Sequence, residues 1–385
     1  MIDSVLCYFF FKMTLSKNKA HTKIPGKKNK SHNSNYSQNQ IIFACIILDM
    51  KKTGVLLINL GTPDSPKAGN VGSYLFEFLN DPRVIDIPWL LRKVLVNILI
   101  VPFRMFSSAK EYQKLWTDKG SPLLYHSEEL LLKVQNELGE NYGVHLAMRY
   151  NKPSIKQVIA EMQKEQYDEI VILPLYPQYA SSSGGTAIEE VMKHISKWWV
   201  IPNIKIISEF FENEGYLESI AARVNEFDLR SYDHVLISFH GLPIRHVDKV
   251  HLNGTNCETN KCKEEINTKN RYCYQANAYH TARSIATKLN LTEEQYSICF
   301  QSRLNDKWLK PYTDKELVNQ AKMGRKKLLV LSPAFVADCL ETTVEIGEGF
   351  KELFIENGGE QLDLVPSLNA HPRWVKAVKD MIVGC

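Results

Sequence analysis

An α/β fold with parallel sheets in two domains is the class this sequence predicts, on three observations. From Gly54 onward, short apolar runs alternate with amphipathic helical stretches, the pattern of βαβ units. The runs are nearly unbroken Val, Ile and Leu, as in Val55-Leu56-Leu57-Ile58, which suits strands covered on both faces. The 385 residues, 44% hydrophobic and 23% charged, are enough for two domains with a core each, and exclude disordered, collagen-like and disulfide-scaffold classes.

Residues 1–49 are expected to be a disordered or mis-assigned extension. Leu6 to Phe11 is apolar, but no basic segment precedes it and no A-x-A site follows, unlike a signal peptide. His21 to Gln40 has the Lys/Asn/Ser/Gln composition of a disordered tail, and Ile41 to Leu48 is too short to span a bilayer. Met50-Lys51-Lys52, just ahead of the first strand, would make a natural start. Seven lysines against Asp3 and Asp49 give this segment +5, leaving −1 of the overall +4 for the rest. A near-neutral body argues against nucleic acid as the main partner. Eight irregularly spaced cysteines without secretory context read as reduced thiols of a cytoplasmic protein.

Strands are predicted near Gly54–Leu60, Val144–Arg149, Glu169–Leu175, Ile204–Glu209, His234–Phe239, Ser297–Gln301, Leu328–Ser332 and Leu362–Pro366, four to each sheet. Thr186-x-x-Glu189 and Thr292-x-x-Gln295 read as capping boxes, and Ser154 after Pro153 as an N-cap. The first domain is expected over residues 50–205, with the C-terminal segment 372–385 returning to it. The second covers 206–371 and carries a cysteine-containing insert at 246–275. No internal repeat is evident. Ile87 to Phe106 is strongly apolar but broken by Arg92, Lys93 and Asn97; Pro102 is expected to end a helix there, and a core helix is the default. Ser181 to Thr186 lacks the ending of a P-loop, so a turn with an N-cap is expected rather than an anion site.

Two features carry chemistry. Asp338, Glu341, Glu345 and Glu348 follow the apolar run Lys327–Leu331, and on a helix their offsets of three and four place them on one face. Such a face is either solvated or, at the end of a strand, a path for a cation or protons. The run Val235 to Phe239 leads into His240, Gly241 and Pro243, setting an imidazole at a strand end beside a turn that allows a close ligand. There it is either a hydrogen-bonded structural residue or a base and metal ligand at neutral pH.

Asn59-Leu60-Gly61-Thr62-Pro63, Arg149-Tyr150, Leu173 to Tyr179, Ser238 to Pro243, Phe300 to Arg303, Trp308 to Asp314 and Phe335 to Glu345 together resemble the ferrochelatases, from Gly54 to about Val378. The resemblance implies two Rossmann-like domains, each with a parallel four-stranded sheet, facing across a cleft. It implies insertion of Fe2+, the metal substrate, into protoporphyrin IX or coproporphyrin III to form haem, with release of two protons. It makes His240 the proton acceptor and metal ligand, Glu341 its metal-binding partner and Glu345 a proton relay, with Asp338 and Glu348 further out. Arg149 and Tyr150 would hold the porphyrin, and the Thr62-Pro63 turn would line the cleft opposite His240. The stretch around Trp89 to Phe106 would form a lip in peripheral contact with a membrane.

Some ferrochelatases carry a 2Fe-2S cluster on four cysteines. This chain offers Cys257, Cys262 and Cys273 in the insert, with Lys263 where a paired cysteine would stand; Cys299 is the nearest fourth candidate in sequence. Free thiols are the alternative. Thr343, Val344 and Asn305 depart from the family pattern without removing a proposed ligand. Two rival readings are a chelatase for cobalt and another tetrapyrrole, and a non-catalytic haem- or metal-binding protein.

Overall fold

The computed structural model describes residues 51–252 and 254–385; the expectations for residues 1–49 lie outside them. Lys51–Cys385 form one compact unit containing two sheets. The first consists of β1 (Thr53–Asn59), β2 (Tyr142–Met148), β3 (Glu169–Pro174) and β4 (Asn203–Ile206), in the spatial order β2-β1-β3-β4. The second consists of β5 (His234–His240), β6 (Tyr296–Gln301), β7 (Lys327–Leu331) and β8 (Gln361–Leu364), in the order β6-β5-β7-β8. Every pairing is parallel, so the eight predicted strands are all present, with ends shifted by a few residues. The two sheets repeat one topology although no sequence repeat announces it.

The topology follows from burial. All seven residues of β1 are buried, and their side chains alternate between two cores. Val55 and Leu57 face a core shared with Val235, Ile237, Leu329 and Leu331 of the second sheet. Leu56 and Ile58 face Ile155, Val158, Ile159, Val191 and Ile195 on the outer side. On the second sheet, Leu236, Leu328 and Val330 pack against Leu317, Ile346 and Phe354. The shared core is closed by the C-terminal helix Pro372–Val383, whose Trp374 is fully buried beside Phe210 and Tyr216.

Several local expectations are corrected. Ser154 does cap the helix Ile155–Lys164, accepting from the Gln157 amide. Thr186 forms no capping box. It follows a π-helical turn, Ser181–Gly185, and its hydroxyl donates to the Asp81 carboxylate at 2.5 Å. Thr292 receives the reach-back expected of a box, its amide donating to Gln295 Oε1 at 2.8 Å, but the segment is a turn into β6 rather than a helix.

The stretch Ile87 to Phe106 is not a core helix. It forms three contiguous helical pieces, Trp89–Val94, the π-helical Leu95–Ile100 and Val101–Leu115, so Pro102 does not end the helix but falls at the junction where the wider turns give way. Trp89, Leu90, Leu91, Ile98, Leu99, Phe103 and Phe106 are exposed, Phe103 at 73%. Val96, Val101 and Arg92 are the buried members of the stretch, and the Arg92 guanidinium donates to the carbonyls of Ile85 and Ile87.

Candidate functional site

In each sheet the chain leaves the first strand toward one neighbour and the third strand lies on the other side, which makes the gap between β5 and β7 a topological switch point. Crevices at the carboxyl ends of such strands are where open α/β sheets bind ligands. His240 is the last residue of β5, and the helix after β7 carries Glu341 and Glu345, so the two candidate groups flank this crevice.

The turn after His240 is fixed by its neighbours. The Gly241 amide donates to the Gln301 carbonyl at 2.8 Å, and a Cβ on Gly241 would lie 2.7 Å from that oxygen, which only glycine avoids. The Tyr274 hydroxyl donates to the His240 carbonyl at 2.9 Å. Trp308 and Phe335 stand beside the imidazole, with ring centroids 6.4 and 6.2 Å away. Burial lowers the His240 pKa below the usual histidine range, and the nearby Glu341 carboxylate offsets part of that. The imidazole is therefore neutral at pH 7, with a lone pair free for a proton or a metal.

The acidic segment Leu340–Phe350 is π-helical and runs on into the helix Lys351–Glu356. Its inner face is apolar: Val344 packs with Tyr74, Tyr112 and Tyr150 of the first half of the chain, and Leu340 joins them. The carboxylate of Glu341 stands close enough to raise the pKa of both Tyr74 and Tyr112, secondary to their burial. Glu345 is held by Ser302 through both the amide, at 2.9 Å, and the hydroxyl, at 2.5 Å. Desolvation is the larger influence and raises Glu345 to about 7, with Glu341 adding to it and Ser302 opposing it. Outward from Glu341 and Glu345, the carboxylates of Glu348, Glu352 and Glu356 line a cleft of about 680 Å³, bordered by Glu111 and Lys114 from the helix Val101–Leu115.

Asp338 does not belong to this column. It precedes the helix, and its carboxylate accepts from the Ser367 amide and the Asn369 side chain, tying the segment to the loop after β8. Glu348 is exposed.

The expected porphyrin contacts are placed differently from the sequence reading. Tyr150 is fully buried, with its hydroxyl donating to Asp81 at 2.9 Å, so its ring offers no surface to a substrate. Arg149 donates to the same carboxylate at 2.6 Å and to the Thr186 hydroxyl at 2.8 Å, with 14% of its side chain exposed. Thr62 and Pro63 are buried, and the Thr62 hydroxyl pairs with Ser121 at 2.8 Å. These residues build the wall behind the site. Asp81, the centre of that network, is silent in the sequence, because a lone acid after a helix carries no spacing signal. Trp308, Phe335 and Ser302 lie within the motifs that resemble the family, but only the fold shows what they touch.

Cys257, Cys262 and Cys273 come together in the insert with His251. Cys299 does not join them; it is buried in the core of the second sheet with Leu236 and Leu317. Among the described residues, no helix is long and apolar enough to cross a membrane.

Comparison with known proteins is consistent across most of the chain. Residues 52–384 match the sequence family described as ferrochelatase. A ferrochelatase of Coxiella burnetii (strain Dugway 5J108-111) is 46% identical over 333 residues, covering 86% of this chain and 93% of that one. A ferrochelatase of Legionella pneumophila (strain Lens) is 43% identical over 335 residues, covering 86% and 98%. Among solved structures, SirB from Bacillus subtilis with Fe3+ superposes with a TM-score of 0.50 over 86% of this chain and 94% of that one, at 11% identity, which supports the shared fold alone.

Proposed function

The chain belongs to the ferrochelatase family, lyases that insert ferrous iron into a porphyrin in haem biosynthesis, and from that premise we propose that His240 and Glu341 are its metal-insertion pair. The observation that carries this reading is their placement on either side of the β5/β7 switch point, with the Glu341 carboxylate acting on His240. Forming haem from a free-base porphyrin and Fe2+ replaces two pyrrole N–H bonds with Fe–N bonds and releases two protons. A neutral imidazole accepts such a proton directly, while a carboxylate beside it displaces water from the incoming ion and balances its charge. Glu345, with a pKa of about 7, is suited to pass the proton on, because it gains and loses a proton with little driving force at neutral pH. The carboxylates lining the outer cleft continue toward solvent from there and would draw in the cation.

Trp308 and Phe335, both beside the imidazole, supply the apolar surface a flat macrocycle needs. Peripheral membrane contact through Trp89, Leu90, Leu91, Ile98, Leu99 and Phe103 accords with a lipophilic substrate, since these side chains lie exposed along consecutive helical pieces. Protoporphyrin IX and coproporphyrin III remain the two candidate substrates. The test of the metal-binding assignment is Glu341→Gln, assayed anaerobically with ferrous iron and porphyrin. Loss of roughly 10²-fold or more in kcat, without loss of thermal stability, is expected; a near-normal kcat would remove Glu341 from the mechanism.

A further inference from the structure

We propose that His251, Cys257, Cys262 and Cys273 form a mononuclear, tetrahedral Zn2+ site that staples the insert to the second sheet. The Cys257 and Cys273 sulfurs are 3.5 Å apart, and His251 Nε2 lies 3.4 Å from the Cys257 sulfur and 3.7 Å from that of Cys262. All four ligand atoms fall within 4.8 Å of one another. With Zn–S near 2.3 Å and Zn–N near 2.0 Å, a tetrahedron has edges of roughly 3.5–3.8 Å, the spacing seen here. A 2Fe-2S cluster does not fit. It divides its four ligands between two irons held apart by bridging sulfides, so ligands on different irons stand much farther apart than ligands of one ion. Three thiolates and one imidazole also match the ligand preference of structural zinc, and binding displaces the thiol protons.

The surroundings are built as such a site requires. Cys262 and Cys273 are fully buried and His251 nearly so, while Cys273 sits at the N-cap of the helix Tyr274–Lys288, where the helix dipole favours a thiolate. The buried Asn260 side chain faces His251 Nδ1 with its amide nitrogen at 3.0 Å, and the same nitrogen donates to the Thr255 hydroxyl at 2.9 Å. Metal on Nε2 leaves Nδ1–H as a donor, so the loaded site requires the amide turned over to present its oxygen to the ring, the usual orientation of a partner behind a ligating histidine. Much of the surrounding insert is Asn, Lys, Glu and Thr, with too little apolar surface to fold as a separate core. The residue after Cys273 is Tyr274, whose hydroxyl holds the His240 carbonyl, so a metal here would also steady the catalytic strand end.

Metal analysis of the purified full-length protein should find about one zinc per chain and no visible charge-transfer bands. Exchange with Co2+ alone should give thiolate-to-cobalt bands and the strong visible bands of a tetrahedral ion, bleached by one equivalent of Zn2+; His240 and Glu341 carry no sulfur and cannot produce them. Cys262→Ser should weaken the thiolate-to-cobalt bands, and His251→Ala should keep them while shifting the visible bands of the ion, each with a lowered affinity for Co2+. If those variants fail to fold, Asn260→Ala should retain the bands with an affinity for Co2+ lowered about 10–100-fold. Wild-type protein without bound metal and without a cobalt–thiolate band, or with two irons and two sulfides per chain, would overturn the proposal.

Discussion

Ser302 holds the Glu345 carboxylate with both its amide and its hydroxyl, yet burial still leaves that carboxyl with a pKa of about 7. The residue with the best-positioned hydrogen bonds on the acidic helix is therefore half-protonated at neutral pH. That condition suits proton transfer and costs stability.

The sign of the effect follows from the shift. A folded-state pKa of about 7 exceeds the ordinary 4.5, so the group favours the fold fully below about pH 4.5 and loses that contribution as pH rises through 7. Glu345→Gln, which cannot ionise, should be more stable than wild type by roughly 1–3 kcal/mol near pH 8.5 and indistinguishable from it near pH 4.5. Thermal melts at the two pH values check this. Iron insertion by the same variant should be slower at both.

Asp81 accepts from Arg149, Tyr150 and Thr186 at 2.6, 2.9 and 2.5 Å, and its side chain is 3% exposed. Asp81→Ala leaves a mostly buried guanidinium and a fully buried phenol without their partner. It should destabilise the protein by about 3–5 kcal/mol. Arg149→Ala should act mainly on stability and only secondarily on the KM for porphyrin. Denaturant melts beside steady-state kinetics separate the two effects.

The exposed apolar face predicts a surface activity that leaves the core untouched. Replacing Trp89, Leu91 and Phe103 together by Ser should abolish flotation with liposomes and leave the melting temperature within about a degree or two, because surface changes away from packed features are nearly neutral. Wild-type protein that fails to float would remove the membrane contact.

The fold was legible because strands buried on both faces leave uninterrupted apolar runs, and parallel connections force helices between them. Val55 to Ile58 and Val235 to Phe239 needed no other signal. The site was legible in part. His240 and Glu341 follow two such runs directly, so finding the strands placed them at strand ends. Partnerships distant in sequence were not visible: Thr186 looked like the start of a capping box because its acceptor, Asp81, lies 105 residues away. Asp338 shared the spacing of the acidic column but fell before the helix began. The cysteines alone give an incomplete ligand set; His251, six residues before Cys257, completes it, and a lone histidine at that spacing carries no signal until the fold brings it to the thiols.

The central claim is that the neutral imidazole of His240 removes the pyrrole protons. It is tested most directly by the anaerobic rate of ferrous iron insertion into porphyrin by His240→Ala, with porphyrin binding followed in parallel by fluorescence. A fall in kcat of about 10²–10⁴-fold with porphyrin affinity largely retained is the predicted result. A kcat close to that of the wild type would contradict the account.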